Sequence, residues 1–544
     1  MKPLLIYPVL AILLFIPLLQ AAVQDPTEGS LNRKDRLEWF QDQGFGLFIH
    51  WNIDCQIGSV ISHSLVGASE DFCKRYFEDL PKTFNPRQFQ PGDWADLAKL
   101  AGIRYVVLTT KHHAGFCLWH TDTTGFNISN TPFRRDIVGE VFDAFRSRGI
   151  ATGVYLSPDD FHWLWENKIP IQRGIDAVQP SANPGLLDLD RRQIRELLTK
   201  YGPVSMVFFD GQADGLRELA WQLQPDTVVT RGAIPTPEQN VPGIALPGPW
   251  ESCITMGHGW GYQSTLEKYK SAGDCIDLLI ETRAKGGNLL LNVGPKPDGT
   301  LPAEQEERLR EIALWMFVNH ECIHGVRPWV ITHEGDVWFT KAKEADTLYV
   351  IVKNRGDWSN GAWKEITLRS VRCTEQTEAS VLGQNDSCLE YRPEVTPKTT
   401  FHQESDGLHV RAMQTQRLRD DRYWPNPVVI KLTHVKPAFT PPNVETLEVK
   451  PDSAGNDVLC KGVLSGPGSS EVVEVAFEYR DITGLDVHDR PNNWTQTKAP
   501  GPLQNGEFSC MVKGLASQHR YEFRAVGRHP ILPVYGKTIT VNIP

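Results

Sequence analysis

The sequence predicts an α/β fold, a (β/α)8-like (TIM) barrel followed by C-terminal β-sandwich domains. Two observations predict it. Between residues 31 and 326, short continuous apolar runs alternate with amphipathic helical segments, and apolar strands separated by helices indicate a parallel sheet that is covered on both faces. After residue 327 the helical periodicity fades and short strands dominate. Roughly 300 residues of the first pattern are typical of a barrel; a doubly wound open sheet is the alternative.

The elements of the predicted barrel follow one another along residues 31–326. Strands are predicted over residues 46–51, 105–110, 151–156, 205–209, 227–230 and 288–293. Helices are predicted over residues 94–100, 137–148, 191–201 and 303–319. Each strand is a short apolar run and each helix has an amphipathic pattern, so the two kinds of segment are told apart by their periodicity.

Two β-sandwiches are predicted after the barrel, over residues 327–438 and 443–544. Residues 347–352 are a typical strand of the first sandwich, and Pro437, Pro441 and Pro442 mark the linker that follows it. In the second sandwich, strands are predicted over residues 472–479, 521–526 and 538–541. The spacing of Leu515 and residues 521–524 resembles a fibronectin type III module.

The N-terminus has the layout of a secretory signal peptide over residues 1–22. Lys2 precedes an almost unbroken apolar run from residue 4 to residue 19, and Ala21 and Ala22 offer small residues for cleavage. The alternative is an uncleaved membrane anchor, but the run is slightly shorter than the ~20 residues that span a bilayer. We therefore expect a secreted, periplasmic or cell-envelope protein with no membrane segment after cleavage.

Charge and cysteine content narrow the possible partners. The net charge of -10 and the pI of about 5.9 argue against nucleic acid, which binds basic surfaces. In an exported chain some of the ten cysteines should pair; Cys373 with Cys388 and Cys460 with Cys510 are plausible, although sequence alone does not fix the pairing. No CxxC motif is present, and neither a metal nor a cofactor is predicted. Three Asn-x-Ser/Thr sites, at Asn127, Asn385 and Asn493, are candidate glycosylation acceptors.

Polar side chains end five of the predicted strands. In parallel barrels the active site lies at the carboxyl ends of the strands, and the residues found there are His50, His112, His113, Tyr155, Asp210 and Arg231. Asp210 follows the apolar run 207–209 and precedes a glycine. A helix cap is the alternative role for this aspartate, but five polar strand ends in one series favour a site.

These residue types suit the chemistry of a sugar. A pyranose needs several hydrogen-bonding side chains and an aromatic wall, for which Trp119 and Trp260 are candidates. Glycoside hydrolysis needs two carboxyl groups, of which Asp210 is one; Glu238 and Glu251 are candidates for the other. A carboxyl group beside an aromatic ring in a dry setting has a raised pKa, although either glutamate alone is more often a solvated surface charge.

The paired histidines have a competing interpretation as metal ligands. Adjacent residues of a regular strand point to opposite faces of the sheet, and no third ligand is evident in the sequence, so we do not predict a metal there. For His112 and His113 both to contact a sugar, the strand must lose its regularity, which Gly115 permits.

Six stretches in order resemble the α-L-fucosidases of glycoside hydrolase family 29. They are FGLFIHW at 45–51, TKHHAGFCLW at 110–119, GVYLS at 153–157, YGPVSMVFFDG at 201–211, PWESCITMGHGWGY at 249–262 and GNLLLNVGPKPDG at 287–299. Together they cover the whole region 31–326. The family usually carries a C-terminal β-sandwich, but the resemblance gives no specific information about residues 327–544.

This resemblance implies an exo-acting, retaining α-L-fucosidase that acts on fucosylated glycans or polysaccharides. Asp210 stands at the position of the family's nucleophile. Glu238 and Glu251 stand at positions used for the acid/base in different branches of the family, and we favour Glu238. The resemblance also assigns sugar contacts, at His50, His112, His113, Tyr155, Arg231 and Trp260. A retaining pair of carboxyl groups should lie about 5–5.5 Å apart.

The sequence departs from the family pattern in three places. Ala114 replaces an aspartate after the paired histidines, and Phe208 replaces a tryptophan two residues before the nucleophile. Residues 72–77 do not clearly show the family's Glu-Trp-Tyr element, so one sugar-binding carboxylate is unassigned, and Glu70 or Glu78 are candidates for it. The first two differences concern substrate preference more than catalysis.

Two other functions are compatible with the sequence. One is a fucose-binding or adhesion protein in which the barrel binds without cleaving, and the second is a retaining hydrolase for another α-linked sugar. The presence of Asp210 together with candidate glutamates argues against the first. Ala114 and Phe208 leave the second open.

Overall fold

The computed structural model of the protein describes residues 29–544 apart from 244, 266, 354–357, 417–426, 453–455, 486–492 and 499. The predicted signal peptide, residues 1–22, lies outside the described residues. The α-helices of the described chain are α1 (Lys34–Gln43), α2 (Glu70–Glu78), α3 (Leu80–Thr83), α4 (Pro91–Leu100), α5 (Ile137–Arg146), α6 (Phe161–Glu166), α7 (Pro184–Lys200), α8 (Arg217–Leu223), α9 (Ala272–Ala284) and α10 (Ala303–Asn319).

One curled sheet of seven parallel strands forms the centre of the N-terminal region. Its strands are β1 (Phe45–Ile49), β2 (Tyr105–Lys111), β3 (Ala151–Leu156), β4 (Met206–Phe209), β5 (Val228–Val229), β6 (Glu251–Thr255) and β7 (Asn288–Val293). They lie side by side in the order β5-β4-β3-β2-β1-β7-β6. Sequential parallel strands joined by helices give the right-handed crossovers of a barrel.

The irregular segment 235–239 lies against the outer edge of β6. The N–H of Glu251 donates to the carbonyl of Pro235 at 3.1 Å, and the N–H of Cys253 donates to that of Pro237 at 3.1 Å. The N–H of Gln239 donates back to Cys253 at 2.9 Å. The predicted (β/α) barrel is therefore confirmed as a curled sheet of seven parallel strands, which this segment extends beyond β6 in place of a regular strand.

Strand β6 was not among the predicted strands, because its sequence is not an apolar run. Only Cys253 and Ile254 are apolar in Glu251–Thr255, yet all five residues are buried. The polar side chains are accommodated inside the barrel or by neighbouring backbone, as in the hydrogen bond from Ser252 Oγ to the carbonyl of Asn240 at 2.8 Å. Because Glu251 is the first residue of β6, it lies at the amino end of that strand.

The interior of the barrel is filled by a cluster of large side chains. Its members are Phe40, Phe48, Tyr105, Val107, Tyr155, Met206, Phe208, Val228, Ile234, Cys253 and Leu290. Phe40 comes from α1 rather than from a strand. The interior is a packed core and not a channel, as is usual for this architecture, so we look for a ligand site in the barrel at the ends of its strands.

A buried ion triad joins β2 to the helices outside it. Lys111 Nζ lies 2.9 Å from Asp190 Oδ1 on α7 and 3.3 Å from Asp160 Oδ2, which precedes α6. All three side chains are at most 3% exposed. A buried charge is tolerated only when its partners compensate for the lost hydration, so this triad fixes the carboxyl end of β2 against α6 and α7.

A first group of antiparallel sheets follows the barrel. Its strands are β8 (Val326–Arg327), β9 (His333–Glu334), β10 (Val337–Ala342), β11 (Thr347–Val352), β12 (Trp363–Leu368), β13 (Val371–Arg372), β14 (Glu378–Val381), β15 (Thr400–Glu404), β16 (Gly407–Met413), β17 (Val428–Thr433) and β18 (Lys436–Pro437). The sheets β14-β17-β11-β10-β8 and β12-β16-β15 enclose a core that includes Val350, Leu408 and Ile430. The predicted strand at 347–352 is confirmed as β11.

A second group of antiparallel sheets ends the chain. Its strands are β19 (Asn443–Pro451), β20 (Val458–Gly466), β21 (Val473–Asp481), β22 (Thr495–Gln496), β23 (Gly501–Leu503), β24 (Gly506–Val512), β25 (Arg520–Arg528), β26 (Pro533–Tyr535) and β27 (Ile539–Asn542). Phe477, Phe508 and Phe523 pack in its core. The Tyr521 hydroxyl accepts a hydrogen bond from the Ala516 N–H at 3.3 Å, a contact of the kind that closes a tyrosine corner in such sandwiches.

Three features of the chain bear on export. All ten cysteines carry free thiols in the structure, although Cys460 and Cys510 lie directly opposite each other on β20 and β24. Asn127 is 3% exposed and its amide donates to the carbonyls of Thr121 and Thr124, so folding hides this glycosylation acceptor. Among the helices of the described ranges, none combines the length and the apolar character needed to cross a bilayer.

Replacing Lys111 by methionine tests the buried triad. The variant Lys111→Met leaves Asp160 and Asp190 as buried carboxylates without their cation, and breaking such a group costs about 3–5 kcal/mol. We expect the urea midpoint of the barrel, followed by tryptophan fluorescence, to fall accordingly. Lys99→Met, at an exposed position of α4, is the matched control and should leave the midpoint unchanged. Equal midpoints for the two variants would show that the triad does not stabilise the barrel.

Candidate active site

Asp210 lies at the floor of a pocket at the carboxyl ends of the strands. It follows β4 directly, and its backbone N–H donates to the carbonyl of Leu156 on β3 at 3.1 Å. Its side chain accepts hydrogen bonds from the Tyr155 hydroxyl at 2.7 Å and from Arg231 Nη1 at 3.1 Å. His113 Nε2 lies 3.3 Å from Oδ2, and the carboxylate is 21% exposed. It is thus fixed in direction while remaining open to a ligand.

The surroundings of Asp210 keep it ionised. Burial alone would raise the pKa of Asp210, but the hydrogen bond and charge of His113, together with the charge of Arg231, outweigh burial and hold that pKa well below its usual range. Hydrogen bonds to the charged form favour that form. At neutral pH this side chain is therefore a carboxylate with a free edge.

Arg231 joins the two carboxylates of the pocket. Its Nη1 donates to Asp210 Oδ1 at 3.1 Å and its Nη2 donates to Glu238 Oε2 at 2.8 Å. The guanidinium also lies over the ring of Phe208, 4.7 Å from its centroid. Since one planar guanidinium contacts both groups, Glu238 is held on the same side of the pocket as Asp210, although it comes from the segment beside β6.

The imidazoles of His50, His112 and His113 are each anchored through Nδ1. The partners are Asn292 Oδ1 for His50 at 2.6 Å, Ser62 Oγ for His112 at 2.7 Å, and Ser157 Oγ for His113. Each anchor occupies Nδ1 and leaves Nε2 as the nitrogen that can meet a ligand. For His113 that nitrogen already faces Asp210.

The protonation state of His50 follows from its neighbours. The Asn292 side-chain amide donates to the carbonyl of Trp260 at 2.7 Å, so its oxygen faces His50 and accepts from Nδ1–H. Burial lowers the pKa of His50 to about 3, and it holds the pKa of His112 well below the usual range. Both rings are neutral at physiological pH and can bond to hydroxyl groups without adding charge.

The backbone at the end of β2 brings both histidines of the pair to the pocket. The pairing of β2 with β3 shifts register between Thr109 and Lys111, and the Gly115 N–H donates to the carbonyl of His112 at 2.9 Å. Gly115 has φ +86°, and a Cβ there would lie 2.2 Å from Asp160 Oδ1. The strand loses its regularity at this point, as the sequence required, and only glycine fits the turn.

Trp260 forms an apolar wall beside these polar groups. Its ring centroid lies 4.8 Å from that of His50 and 6.0 Å from that of Phe48. The side chain is partly exposed. An aromatic face next to a row of hydrogen-bonding groups is suited to a ligand with one apolar side, such as a sugar.

The structure does not bring Trp119 to this pocket. It is fully buried, and its indole N–H donates to Glu196 Oε2 on α7 at 2.9 Å. It therefore packs on the helical side of the loop after β2. The sequence offered no signal for this, because a loop tryptophan can turn towards the pocket or away from it.

Glu251 lies at the opposite end of the barrel. It begins β6 and pairs with Asn288, the first residue of β7, whereas Asp210 follows the last residue of its strand. Its side chain is fully buried, with one oxygen bonded to the Tyr105 hydroxyl. The other oxygen has no hydrogen-bond partner within the described part of the chain. Burial raises the pKa of Glu251 to about 7.

The residues at which the sequence departs from the family lie in three different settings. Ala114 is buried, and its N–H donates to Ser62 Oγ at 2.9 Å. Phe208 lies inside the barrel, stacked on Tyr155 with centroids 5.6 Å apart. Glu70 and Glu78 are both exposed on α2, and neither contacts any of the pocket residues described above.

Sequence reasoning missed the groups that orient the pocket. They are Ser62, Asp159, Arg173 and Asn292, which act together with Ser157 at the end of the stretch 153–157. Asn292 lies near the carboxyl end of β7, so listing every polar strand-end residue would have found it. Ser62 and Arg173 come from long loops whose course the sequence does not reveal. These groups act through the histidines and Asp210, which is why their residue types carry no recognisable pattern.

Within the described ranges, two groups of side chains have ligand atoms close enough for a metal ion. His112, His113 and Asp210 place such atoms within 4.8 Å of one another in the pocket, as do the more exposed Glu404, Asp406 and His409 near β15 and β16. In the pocket, Asp210 is already bonded to Tyr155 and Arg231. A guanidinium on the same carboxylate works against a second cation there.

Two carboxyl groups bridged by one arginine, at the carboxyl end of a parallel barrel and beside neutral imidazoles and an aromatic wall, are features typical of a glycoside hydrolase. The comparisons with known proteins name the group. The family model described as "Alpha-L-fucosidase" matches residues 17–321, more than half of the chain. The chain belongs to the α-L-fucosidase family, and the resemblance found in the sequence is confirmed.

Individual relatives agree with this assignment. The chain is 32% identical to the plasma α-L-fucosidase of Rattus norvegicus over 396 residues, which span 63% of this chain and 84% of that protein. α-L-Fucosidase isoenzyme 1 of Paenibacillus thiaminolyticus superposes with a TM-score of 0.60 at 28% identity, over 73% of this chain and 98% of that one. The Thermotoga maritima α-fucosidase, solved with a mechanism-based inhibitor, gives 0.57 at 25% identity, over 75% and 99%.

Replacing Glu251 by glutamine tests its position at the far end of the barrel. The pKa of Glu251 is raised from 4.5 to about 7, so the native state holds a proton there that the unfolded state releases. The contribution of Glu251 to the free energy of unfolding is greatest below about pH 4.5 and decreases as pH rises to about 7. At 1.36 kcal/mol per pKa unit, the decrease is up to about 3 kcal/mol. Glu251→Gln should remove that loss.

The measurement is urea unfolding of wild type and Glu251→Gln at pH 4.5, 6 and 8, with fucosidase activity alongside. We expect the free energy of unfolding of the variant to increase relative to that of the wild type as pH rises. The variant should keep wild-type turnover. A folded Glu251→Gln protein without turnover would place this glutamate in the reaction after all.

Proposed function

We propose that the protein is a secreted, exo-acting retaining α-L-fucosidase with Asp210 as the nucleophile and Glu238 as the acid/base. Membership in the family supports the activity, and the roles of the residues rest on the site. One observation carries the assignment: Arg231 contacts Asp210 and Glu238 at once, at the open end of the barrel. No other pair of carboxylates in the described chain is joined in this way at the pocket.

Asp210 has the properties that a nucleophile needs. It is ionised because hydrogen bonds and positive charges outweigh its burial, and its exposed edge is free to approach an anomeric carbon. Tyr155 and Arg231 hold it from two directions. A carboxylate fixed in this way attacks without first having to be oriented.

Glu238 is favoured over Glu251 as the acid/base because only Glu238 can reach the sugar. Its side chain is 24% exposed and shares Arg231 with the nucleophile, whereas Glu251 is fully buried at the amino end of β6. The raised pKa of Glu251 suits an acid, but a proton donor must lie within hydrogen-bonding reach of the leaving oxygen. Distance thus outweighs pKa in this choice.

The pocket supplies the contacts that bind a terminal fucose. His50 and His112 present Nε2 towards it, and burial keeps both neutral, while His113 lies beside them with its Nε2 facing Asp210. Trp260 offers an apolar surface for the 6-methyl group of the sugar. Tyr155 and Arg231, which are already bonded to Asp210, complete the binding residues. A pocket at one end of a filled barrel admits a chain terminus, which supports exo-action.

The reaction then proceeds in two balanced steps. In the first, Asp210 forms a bond to the anomeric carbon as the glycosidic bond breaks, and Glu238 gives its proton to the departing oxygen. In the second, Glu238 takes a proton from water, whose oxygen attacks the anomeric carbon as the bond to Asp210 breaks. Two inversions leave the released fucose in the α configuration.

Secretion is part of the proposal and rests on residues 1–22. The apolar run after Lys2 and the small residues at 21 and 22 support cleavage and export. The substrates are then fucosylated glycans or polysaccharides outside the cell or in its envelope, and nucleic acid is disfavoured by the net charge of -10.

Release of nitrophenol from 4-nitrophenyl α-L-fucoside by the mature chain tests the function and both roles. Asp210→Gly should have no turnover, and sodium azide should restore some, with β-L-fucosyl azide as the product because azide enters from the nucleophile's side. Glu238→Ala should turn over about 10²- to 10⁴-fold more slowly. Azide should accelerate that variant and give α-L-fucosyl azide.

The two azide products separate the roles, and Glu251→Gln is the matched control for Glu238. Turnover that survives in Asp210→Gly without azide would reject the nucleophile. Binding of fucose with no turnover of nitrophenyl or oligosaccharide substrates by the wild type would indicate a sugar-binding protein instead. Turnover of another aryl α-glycoside in preference to the fucoside would indicate a different substrate.

A further inference from the structure

His63 stands at the rim of the pocket and has no role in the site as described so far. It begins a short 3-10 turn, His63–Leu65, in the loop between β1 and α2. The residue is exposed, while its ring is partly covered by its neighbours and makes edge contacts with His113 at 5.4 Å and with His112 at 6.3 Å between centroids. His113 in turn lies 3.3 Å from Asp210. One imidazole therefore separates His63 from the nucleophile.

Ser62, the residue before it, fixes the direction in which the side chain of His63 leaves the backbone. Ser62 is fully buried and has φ +56°, a conformation that a residue with a Cβ rarely adopts. Its Oγ meets His112 Nδ1 at 2.7 Å and accepts from the Ala114 N–H at 2.9 Å. The same atom that orients His112 thus holds the backbone from which His63 projects.

A second layer keeps Ser62 in place. Its N–H donates to Asp54 Oδ2 at 2.6 Å, and the Tyr76 hydroxyl donates to the same oxygen at 2.8 Å. Asn52 donates to the Tyr76 oxygen at 3.1 Å. Strained backbone held by several buried bonds is a feature of functional sites. Here an exposed histidine is the residue that this network presents.

We propose that His63 is a substrate-contacting residue, which hydrogen-bonds one hydroxyl of the bound fucose and so contributes to the choice of sugar. It extends the row formed by His50, His112 and His113 along the pocket wall, on the side away from Trp260. This inference rests on the proposed function, because it assigns a contact to the sugar that the same pocket holds.

The chemistry of the ring fits this role. Burial against its neighbours and the charge of His113 lower the pKa of His63 to about 4, although Asp210 opposes the shift. A neutral imidazole has one donor and one acceptor, as a sugar hydroxyl does. Ser62 of the same loop anchors His112 from within, and His63 is the exposed polar side chain that follows it.

The test compares His63→Ala, His63→Gln and the control His402→Ala, which removes an exposed histidine on β15 far along the chain. With 4-nitrophenyl α-L-fucoside, His63→Ala should raise KM by about threefold to tenfold, the worth of one hydrogen bond, with a smaller change in kcat. His63→Gln, which keeps a donor and an acceptor, should recover part of the loss. His402→Ala should match the wild type.

Fucosides that lack one hydroxyl each identify the contact. The wild type should lose affinity for the 2-deoxy, 3-deoxy and 4-deoxy fucosides, and His63→Ala should lose its discrimination against one of the three only. Unchanged KM and unchanged discrimination at all three positions would overturn the inference. If His63→Ala fails to fold, the same series with His63→Gln decides, and identical discrimination in that variant counts against the contact.

Failure of this inference and failure of the proposed function give different results. If Asp210→Gly is inactive while His63→Ala behaves as wild type, the hydrolase stands and the contact is rejected. If the wild type shows no turnover at all, calorimetric binding of L-fucose still tests the contact. Weaker binding by His63→Ala than by His402→Ala supports it, and equal binding overturns it.

Discussion

The carboxylate of Asp210 is the charge on which the rest of the site depends. A buried charge persists only where fixed partners replace its water, and here Tyr155, Arg231 and His113 do so from three different chain segments. The three residues lie at or just after the carboxyl ends of β3, β5 and β2. The parallel barrel brings their carboxyl ends together, and the ion triad at Lys111 fixes the end of β2 from the outside. The fold and the charge therefore stabilise one arrangement jointly.

Neutral imidazoles complement that charge. A row of cationic rings beside Arg231 would repel the arginine, while burial lowers the pKa of His50 and His112 so that they stay uncharged. Anchoring through Nδ1 by a serine or an asparagine fixes which nitrogen faces the ligand. Such anchors act without adding charge, which leaves Arg231 as the cation that both carboxylates share.

Strand ends were the informative part of the sequence. An apolar run that stops at a polar residue identifies both the strand and the side chain that emerges from it, so Asp210 and Arg231 could be placed by pattern alone. Strand β6 could not, because Glu251–Thr255 is mostly polar and reads as a loop. The sequence therefore gives no signal that Glu251 begins a strand instead of following one. Trp119 and His63 lie in loops, where no periodicity indicates the direction of a side chain.

The contrast between Asp210 and Glu251 shows why a pKa does not assign a role by itself. Both carboxyl groups are surrounded by the barrel, but Asp210 meets an arginine and a histidine, whereas Glu251 meets one tyrosine hydroxyl and keeps one oxygen without a partner in the described chain. The same burial thus leaves one group ionised and raises the pKa of the other to about 7. A raised pKa alone would select Glu251 as the acid. The direction of β6 places Glu251 at the amino end of the barrel, whereas Glu238 shares Arg231 with Asp210 at the carboxyl end. This position is why we propose Glu238 as the acid/base.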